Sequence, residues 1–100
     1  MKLGILVNTD KNLDHIMGLT AAAVSKGHEV AIFVMDDGVR LLGESVFGNL
    51  CKMSGVTVCF CDYSTRLIDL PREKVSQDIV CGSQYDNAVM NHNADRVLVL

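Results

Sequence analysis

The chain predicts a single α/β domain over residues 1–100, a three-layer α/β/α fold around a five-stranded, mainly parallel sheet. Two observations carry this. Leu3–Val7 and Val30–Met35 are continuous apolar runs, as strands buried on both faces require. The segments between the strand candidates repeat apolar residues at helical spacing, and strands alternating with helices build a parallel sheet with helices on both faces.

Taken in order, the first strand, Leu3–Val7, is closed by Asn8, Thr9 and Asp10. Asn12 is the N-cap of a helix whose apolar side is Leu13, Ile16, Met17, Thr20, Ala21 and Val24, and Gly27 stops it. The second strand, Val30–Met35, ends at Asp36, Asp37 and Gly38. A second helix is expected over Val39–Met53, with Leu42, Val46, Leu50 and Met53 on one face; Gly43 and Gly48 lower its propensity, so packing has to hold it. The third strand begins at Val56. Val56, Val58 and Phe60 share one face, and Thr57, Cys59 and Cys61 the other. Asp62, Tyr63, Ser64 and Thr65 then form a turn opening a short helix. Pro71 suits the first turn of another short helix. A short fourth strand over Asp78–Cys81, a weakly patterned helix over Ser83–Asn93 with Tyr85, Ala88 and Val89 as its apolar side, and a fifth strand over Arg96–Leu100 complete the chain.

Composition removes several function classes. With 49% apolar and 21% charged residues, the chain can build a core and is not disordered. The net charge is −3 and the nine Lys and Arg are scattered, so no nucleic-acid partner is expected. No apolar run approaches the roughly 20 residues of a membrane span, and MKLGILVNTD reads as a strand rather than a signal peptide. Four cysteines without a signal peptide suggest a reducing, cytoplasmic setting. The Asn8–Asn12 loop contains no glycine, so neither a P-loop nor a dinucleotide fingerprint is present and no cofactor is expected.

Cys61 is the candidate nucleophile. In an α/β sheet the carboxyl ends of the strands open into the crevice where ligands bind, and Cys61 stands at such an end. Ser64 and Thr65 open the following turn and Arg66 is close in sequence; a helix start and a nearby cation both favour the thiolate. Asp62, Tyr63, Ser64 and Arg66 form the supporting loop. Cys59 and Cys51 read as packing residues. Cys59 and Cys61 would sit roughly 6.6 Å apart along the strand, with parallel side chains, which does not suit a disulfide. Cys81 is a possible second thiol: at the end of the fourth strand it would resolve an oxidised Cys61, the alternative being a small residue in a tight turn. Cys-x-Cys on a strand is not a zinc-finger spacing and no second close pair exists, so no metal is expected. His15 and His92 read as exposed helix residues and His28 begins a strand; none suggests a triad. Asp36 and Asp37 either line the crevice or simply make a polar turn.

Three stretches carry a family resemblance. KGHEVAIFVMDDGV (Lys26–Val39), GVTVCFCDYSTR (Gly55–Arg66) and ADRVLVL (Ala94–Leu100) resemble the second strand and its turn, the third strand and the last strand of the DsrE/DsrF-like proteins, which include the sulfur-relay subunits and the YchN-like proteins. The resemblance covers essentially the whole chain. It implies the DsrEFH/YchN-like fold, a persulfide carried on Cys61, sulfur donor and acceptor proteins as partners, and a homo-oligomer, either trimer or hexamer. Leu67 and Ile68 depart from the pattern, since many relatives place a glycine after the arginine of this loop. The apolar cluster Tyr63, Leu67, Ile68 and Leu70 is expected either at a subunit contact or as a cap on the core. The function expected is therefore a small cytosolic sulfur carrier or sulfurtransferase-like protein. The alternative is a non-catalytic oligomeric subunit or small-ligand-binding module of the same fold.

Overall fold

Four of the five strands follow one another across the sheet, and the fifth returns to the opposite edge. The computed structural model describes all 100 residues. Its strands are β1 (Lys2–Val7), β2 (Glu29–Val34), β3 (Val56–Cys61), β4 (Val80–Gly82) and β5 (Arg96–Val99). They form one sheet in the order β4-β3-β2-β1-β5, with every neighbouring pair parallel. The α-helices are α1 (Leu13–Ser25), α2 (Ser45–Leu50), α3 (Asp62–Leu67) and α4 (Gln84–Asn93).

This order has a consequence for the layers. Crossovers between parallel strands are right-handed, so three successive steps in one direction place their connections on one face. The last step runs back across the sheet and places α4 on the other. The core is correspondingly unequal. One cluster holds 16 buried residues, including Ile5, Ile32, Val58 and Phe60 from the sheet and Ile16, Phe47 and Leu50 from the helices. The other holds only Phe33, Cys61 and Met90 as fully buried members. Burying each large apolar side chain in the first cluster contributes about 1.5–3 kcal/mol, so most of the stability lies there.

Four expectations are corrected. The stretch read as one helix over Val39–Met53 is a 3₁₀ segment over Asp36–Gly43 followed by α2, with Glu44 extended between them (φ −79°, ψ 128°). The glycine that lowers helix propensity, Gly43, is where the helical run breaks. The apolar side assigned to α4 faces outward instead: Tyr85, Ala88 and Val89 are exposed, and Met90 is the residue turned into the sheet. Gly4 makes room for it, since a Cβ there would stand 3.2–3.5 Å from Ala94, Val97 and Met90. Pro71 precedes a short 3₁₀ turn, Arg72–Lys74, rather than an α-helix. Asn12 does occupy the N-cap position of α1, but its amide donates to the Leu100 carbonyl (2.8 Å) and Thr9 Oγ1 (3.4 Å) instead of capping the helix.

Gly38 fixes the turn after β2. A Cβ there would lie 2.6 Å from the Val7 carbonyl oxygen, a backbone atom that cannot yield. The β2 turn is thereby pressed against the end of β1, and Met35 donates its N–H to the same Val7 oxygen at 2.8 Å. No helix is long and apolar enough to cross a membrane.

Candidate functional site

β3 passes into α3 with no intervening loop. Cys61 is its last extended residue (φ −81°, ψ 112°) and Asp62 the first helical one. The alternation along β3 turns the Cys61 side chain to the thinly covered face, where it packs with Phe33 and Met90 and is only 2% exposed. Beside it opens a cavity of about 760 Å³ at the carboxyl ends of β2, β3 and β4. Met35 and Asp36 line it from β2, the start of α3 from β3, and Cys81, Ser83 and Gln84 from β4 and the head of α4.

The thiol stands between opposing influences. Burial, the largest single influence, pushes its pKa up. Against this act the Ser64 hydroxyl, the Ser64 and Tyr63 backbone N–H groups and the Gln84 amide, and together they hold Cys61 below the ordinary thiol value. Ser64 is 4% exposed, and its Oγ accepts the Asp36 backbone N–H at 3.0 Å. That acceptance leaves the hydroxyl hydrogen free to be donated elsewhere. Asp36 sits in the left-handed region at φ +50°. Gln84 donates its Nε2–H to Met35 Sδ at 3.8 Å across the cavity.

The other thiols differ. Cys59 lies on the same face of β3, half-buried, and its pKa is pushed up to about 11, first by burial and then by the Asp86 carboxylate and the two neighbouring cysteines. A Cβ on Gly82 would collide with both the Cys59 sulfur and the Asp86 carboxylate, so any larger residue there would have to displace these side chains. Burial, then Asp78, raises the Cys51 thiol. Cys81 is exposed and lines the same cavity as Cys61. In the β3–β4 register it pairs with Phe60, while Cys61 pairs with Gly82. Register partners on adjacent strands point the same way, so Cys81 and Cys61 leave the sheet on opposite faces. That geometry opposes a direct disulfide without backbone movement and does not suit Cys81 as a resolving thiol.

Asp62 holds the loop rather than the thiol. Its carboxylate pairs with Arg66 at 2.9 Å and with Arg72, and these guanidinium groups, Arg72 foremost, keep it below the usual carboxylate range. Arg72 also lies over the Phe60 ring, 5.6 Å from its centroid. Arg66 is thus committed to Asp62 and does not act on Cys61 as the expected cation. The apolar cluster divides: Ile68 and Leu70 pack against the main core, while Tyr63 and Leu67 are 69% and 67% exposed at i and i+4 on α3. Asp37 pairs with Arg40 at the surface, at 3.4 Å. His15, His28 and His92 lie away from the cavity, and no group of three or more His, Cys, Asp or Glu side chains is arranged to hold a metal ion.

Sequence reasoning missed Gln84, Arg72 and the Asp36 backbone. The first had a signal. Ser83 and Asp86 form a capping box, with Tyr85 N–H donating to Ser83 Oγ (3.2 Å) and Ser83 N–H to Asp86 Oδ2 (2.9 Å). That Ser-x-x-Asp pattern places Gln84 at the head of a helix beside the strand ends. Arg72 and Asp36 reach the site through long-range contacts that local sequence does not encode.

The whole chain superposes on two solved structures. One is the YchN protein from E. coli, with a TM-score of 0.80, 15% identity and complete coverage of both chains. The other is a protein of unknown function from Methanobacterium thermoautotrophicum, with a TM-score of 0.73, 12% identity, and 99% of this chain and 98% of that chain covered. These likenesses establish the fold as YchN-like. No family model matches the sequence, and no curated protein does.

Proposed function

We propose that this YchN-like chain is a sulfur carrier that holds sulfane sulfur as a persulfide on Cys61 and passes it to a partner thiol. The observation that carries the reading is the thiol itself: a strand-end cysteine at the edge of an open cavity, kept below its ordinary pKa despite burial. Thiolate is the reactive form at sulfur. The Cys61 thiolate attacks the outer sulfur of a donor persulfide, R–S–SH. A new S–S bond forms to Cys61 while the donor S–S bond breaks, and the donor leaves as R–S⁻. In the second half the acceptor thiolate attacks the outer sulfur of Cys61–S–SH, and Cys61 leaves as thiolate. Each half is exchange at sulfur, with no net oxidant or reductant.

The cavity suits this use. It leaves room beyond Cys61 for a second sulfur, and the donors on Cys61 serve a thiolate that is regenerated at each turn. Asp62 with Arg66 and Arg72 fixes the start of α3, and Tyr63 shapes the rim. Donor and acceptor are read as proteins, since a persulfide passed between thiols needs a partner that docks at the rim. A reducing cytosolic setting suits four free thiols. The chain is further read as a homo-oligomer, trimer or hexamer, in which Tyr63 and Leu67 are covered by a neighbouring copy.

Incubation with a cysteine desulfurase and cysteine, followed by intact-mass and peptide mass spectrometry, tests the reading. The expected result is a gain of one sulfur on the peptide containing Cys61, abolished in a folded Cys61→Ser protein. A Cys61→Ser protein that still loads sulfur moves the chemistry to Cys81 or elsewhere; a wild-type protein that never loads defeats the carrier reading in favour of a non-catalytic binding module.

A further inference from the structure

We infer that Asp36, at the end of β2, is a positioning residue for Cys61, acting through its backbone N–H on the Ser64 hydroxyl. The inference takes Cys61 as the nucleophile of the site, as in the reading above, but does not require that its cargo be sulfur.

A serine hydroxyl carries one hydrogen and can point it in several directions. Ser64 is 4% exposed, so solvent does not compete for it. The Asp36 N–H donates to Ser64 Oγ at 3.0 Å, from a residue 28 positions earlier in the chain. An oxygen that accepts there keeps its own hydrogen to give, and Ser64, three residues on from Cys61 and lining the same cavity, favours its thiolate. The end of β2 therefore decides which way Ser64 donates.

The backbone at Asp36 is what aims that N–H. Its φ of +50° lies in the left-handed region, which Asp and Asn tolerate and β-branched residues do not. Two contacts hold the turn in this conformation. Met35 N–H donates to the Val7 oxygen at 2.8 Å, and Gly38 packs directly against that same carbonyl. Strained backbone that the surroundings over-determine is found where a group has to be aimed. The Asp36 side chain makes no ion pair or hydrogen bond among those formed at the site, so the backbone is the part in use.

Other groups also face the thiol. The charged and titratable ones round the cavity are Asp36 from β2, Asp62, Tyr63 and Arg66 from α3, Cys81 from β4 and Asp86 from α4, with Cys59 below on the same strand. Asp62 is neutralised by its two arginines, and Asp86 is engaged by the Ser83 N–H. Of these groups only Tyr63 offers Cys61 a hydrogen bond, through its backbone N–H, and the Gln84 amide adds another from the head of α4.

The test reads the rate at which Cys61 is alkylated by iodoacetamide as a function of pH, by peptide mass spectrometry on the whole protein. Ser64→Ala is expected to slow Cys61 alkylation at pH 7 roughly tenfold and to move its rise to higher pH, as loss of a hydrogen bond to a charged sulfur does. Asp36→Ile, which cannot hold the left-handed turn, is expected to move the profile in the same direction. Asp36→Asn, which can, is expected to show no such upward move, which separates the backbone from the carboxylate. The double variant Ser64→Ala with Asp36→Ile should be no slower than Ser64→Ala alone, because both break one path. A folded Asp36→Ile protein with the wild-type profile, or a double variant whose slowing is the product of the two single ones, overturns the inference. If Asp36→Ile does not fold, Asp36→Ala is read against the same criteria. A wild-type protein with the lowered profile that takes up no persulfide defeats the carrier reading and leaves this inference standing.

Discussion

Cys59 and Cys61 lie two residues apart on one strand and one face, yet their thiols are driven in opposite directions. Both are desolvated. What separates them is the strand end: Cys61 meets the N–H groups of Tyr63 and Ser64 where β3 becomes α3, while Cys59 meets the Asp86 carboxylate and two other sulfurs. The expected outcome is that Cys61 alkylation rises at a lower pH than that of an ordinary thiol, whereas Cys59 stays slow until the solution approaches pH 11. Cys51 should also lag, being raised by burial and by Asp78. Time-resolved peptide mapping of the native protein checks the order, and Cys59 labelled ahead of Cys61 would remove the basis for the site. Cys81, being exposed, also takes label and is followed on its own peptide. Much of this was legible beforehand, because alternation along VTVCFC fixes which thiols share a face and the polar run after it fixes where the strand stops. The partners were less so. Arg66 is close in sequence yet bound to Asp62, and Asp36 is 28 residues from Ser64 yet hydrogen-bonded to it.

At the scale of elements, α1 carries a local conflict. Thr20 sits on its buried face, 0% exposed, and its Oγ1 has no hydrogen-bond partner. A buried hydroxyl left unpaired costs on the order of 1–3 kcal/mol, and valine has nearly the same shape without it. Thr20→Val is therefore expected to stabilise the domain by about 1 kcal/mol, a rise in Tm of roughly 4–8 °C for a domain of this size. Thermal unfolding followed by circular dichroism decides it; a lower Tm would mean that Thr20 has a partner after all. The periodicity of α1 was easy to read because thirteen residues give the pattern room. α2 has six and α4 ten; the extent of the first and the inward face of the second were misjudged, though the span of α4 was not. In α4 the inward residue is Met90, and the rest of the helix lies over a sheet face with few large side chains, so its hydrophobic pattern is weak. The break at Gly43–Glu44 reflects competition that local propensity does not resolve, since Val39, Leu41 and Leu42 are all buried by a 3₁₀ path.

At the scale of the whole molecule, the sheet order sets both the unequal core and the place of the site. Because β1 to β4 march in one direction, α3 emerges beside the ends of β2 and β4, and its outer side is left facing solvent. On that side Tyr63 and Leu67 stand one turn apart, 69% and 67% exposed, at the rim of the cavity that holds Cys61. Their neighbours Ile68 and Leu70 turn inward, so the exposed pair is not a residue of core packing. Two large apolar side chains side by side on a helix favour burial against a partner. A second copy at this place would also narrow the approach to Cys61 and shield a persulfide from water and stray thiols. The expected outcome is a trimer or hexamer of the 10.9 kDa chain in light scattering at micromolar concentration. Tyr63→Asp with Leu67→Asp should lower that mass while circular dichroism stays unchanged, since both side chains are outside the core. It should also quicken loss of any persulfide to added thiol. A monomeric wild-type protein rules out the assembly; an undiminished mass in the folded double variant places the contact on another face, the thinly covered side of α4 being the next to probe through Tyr85 and Val89.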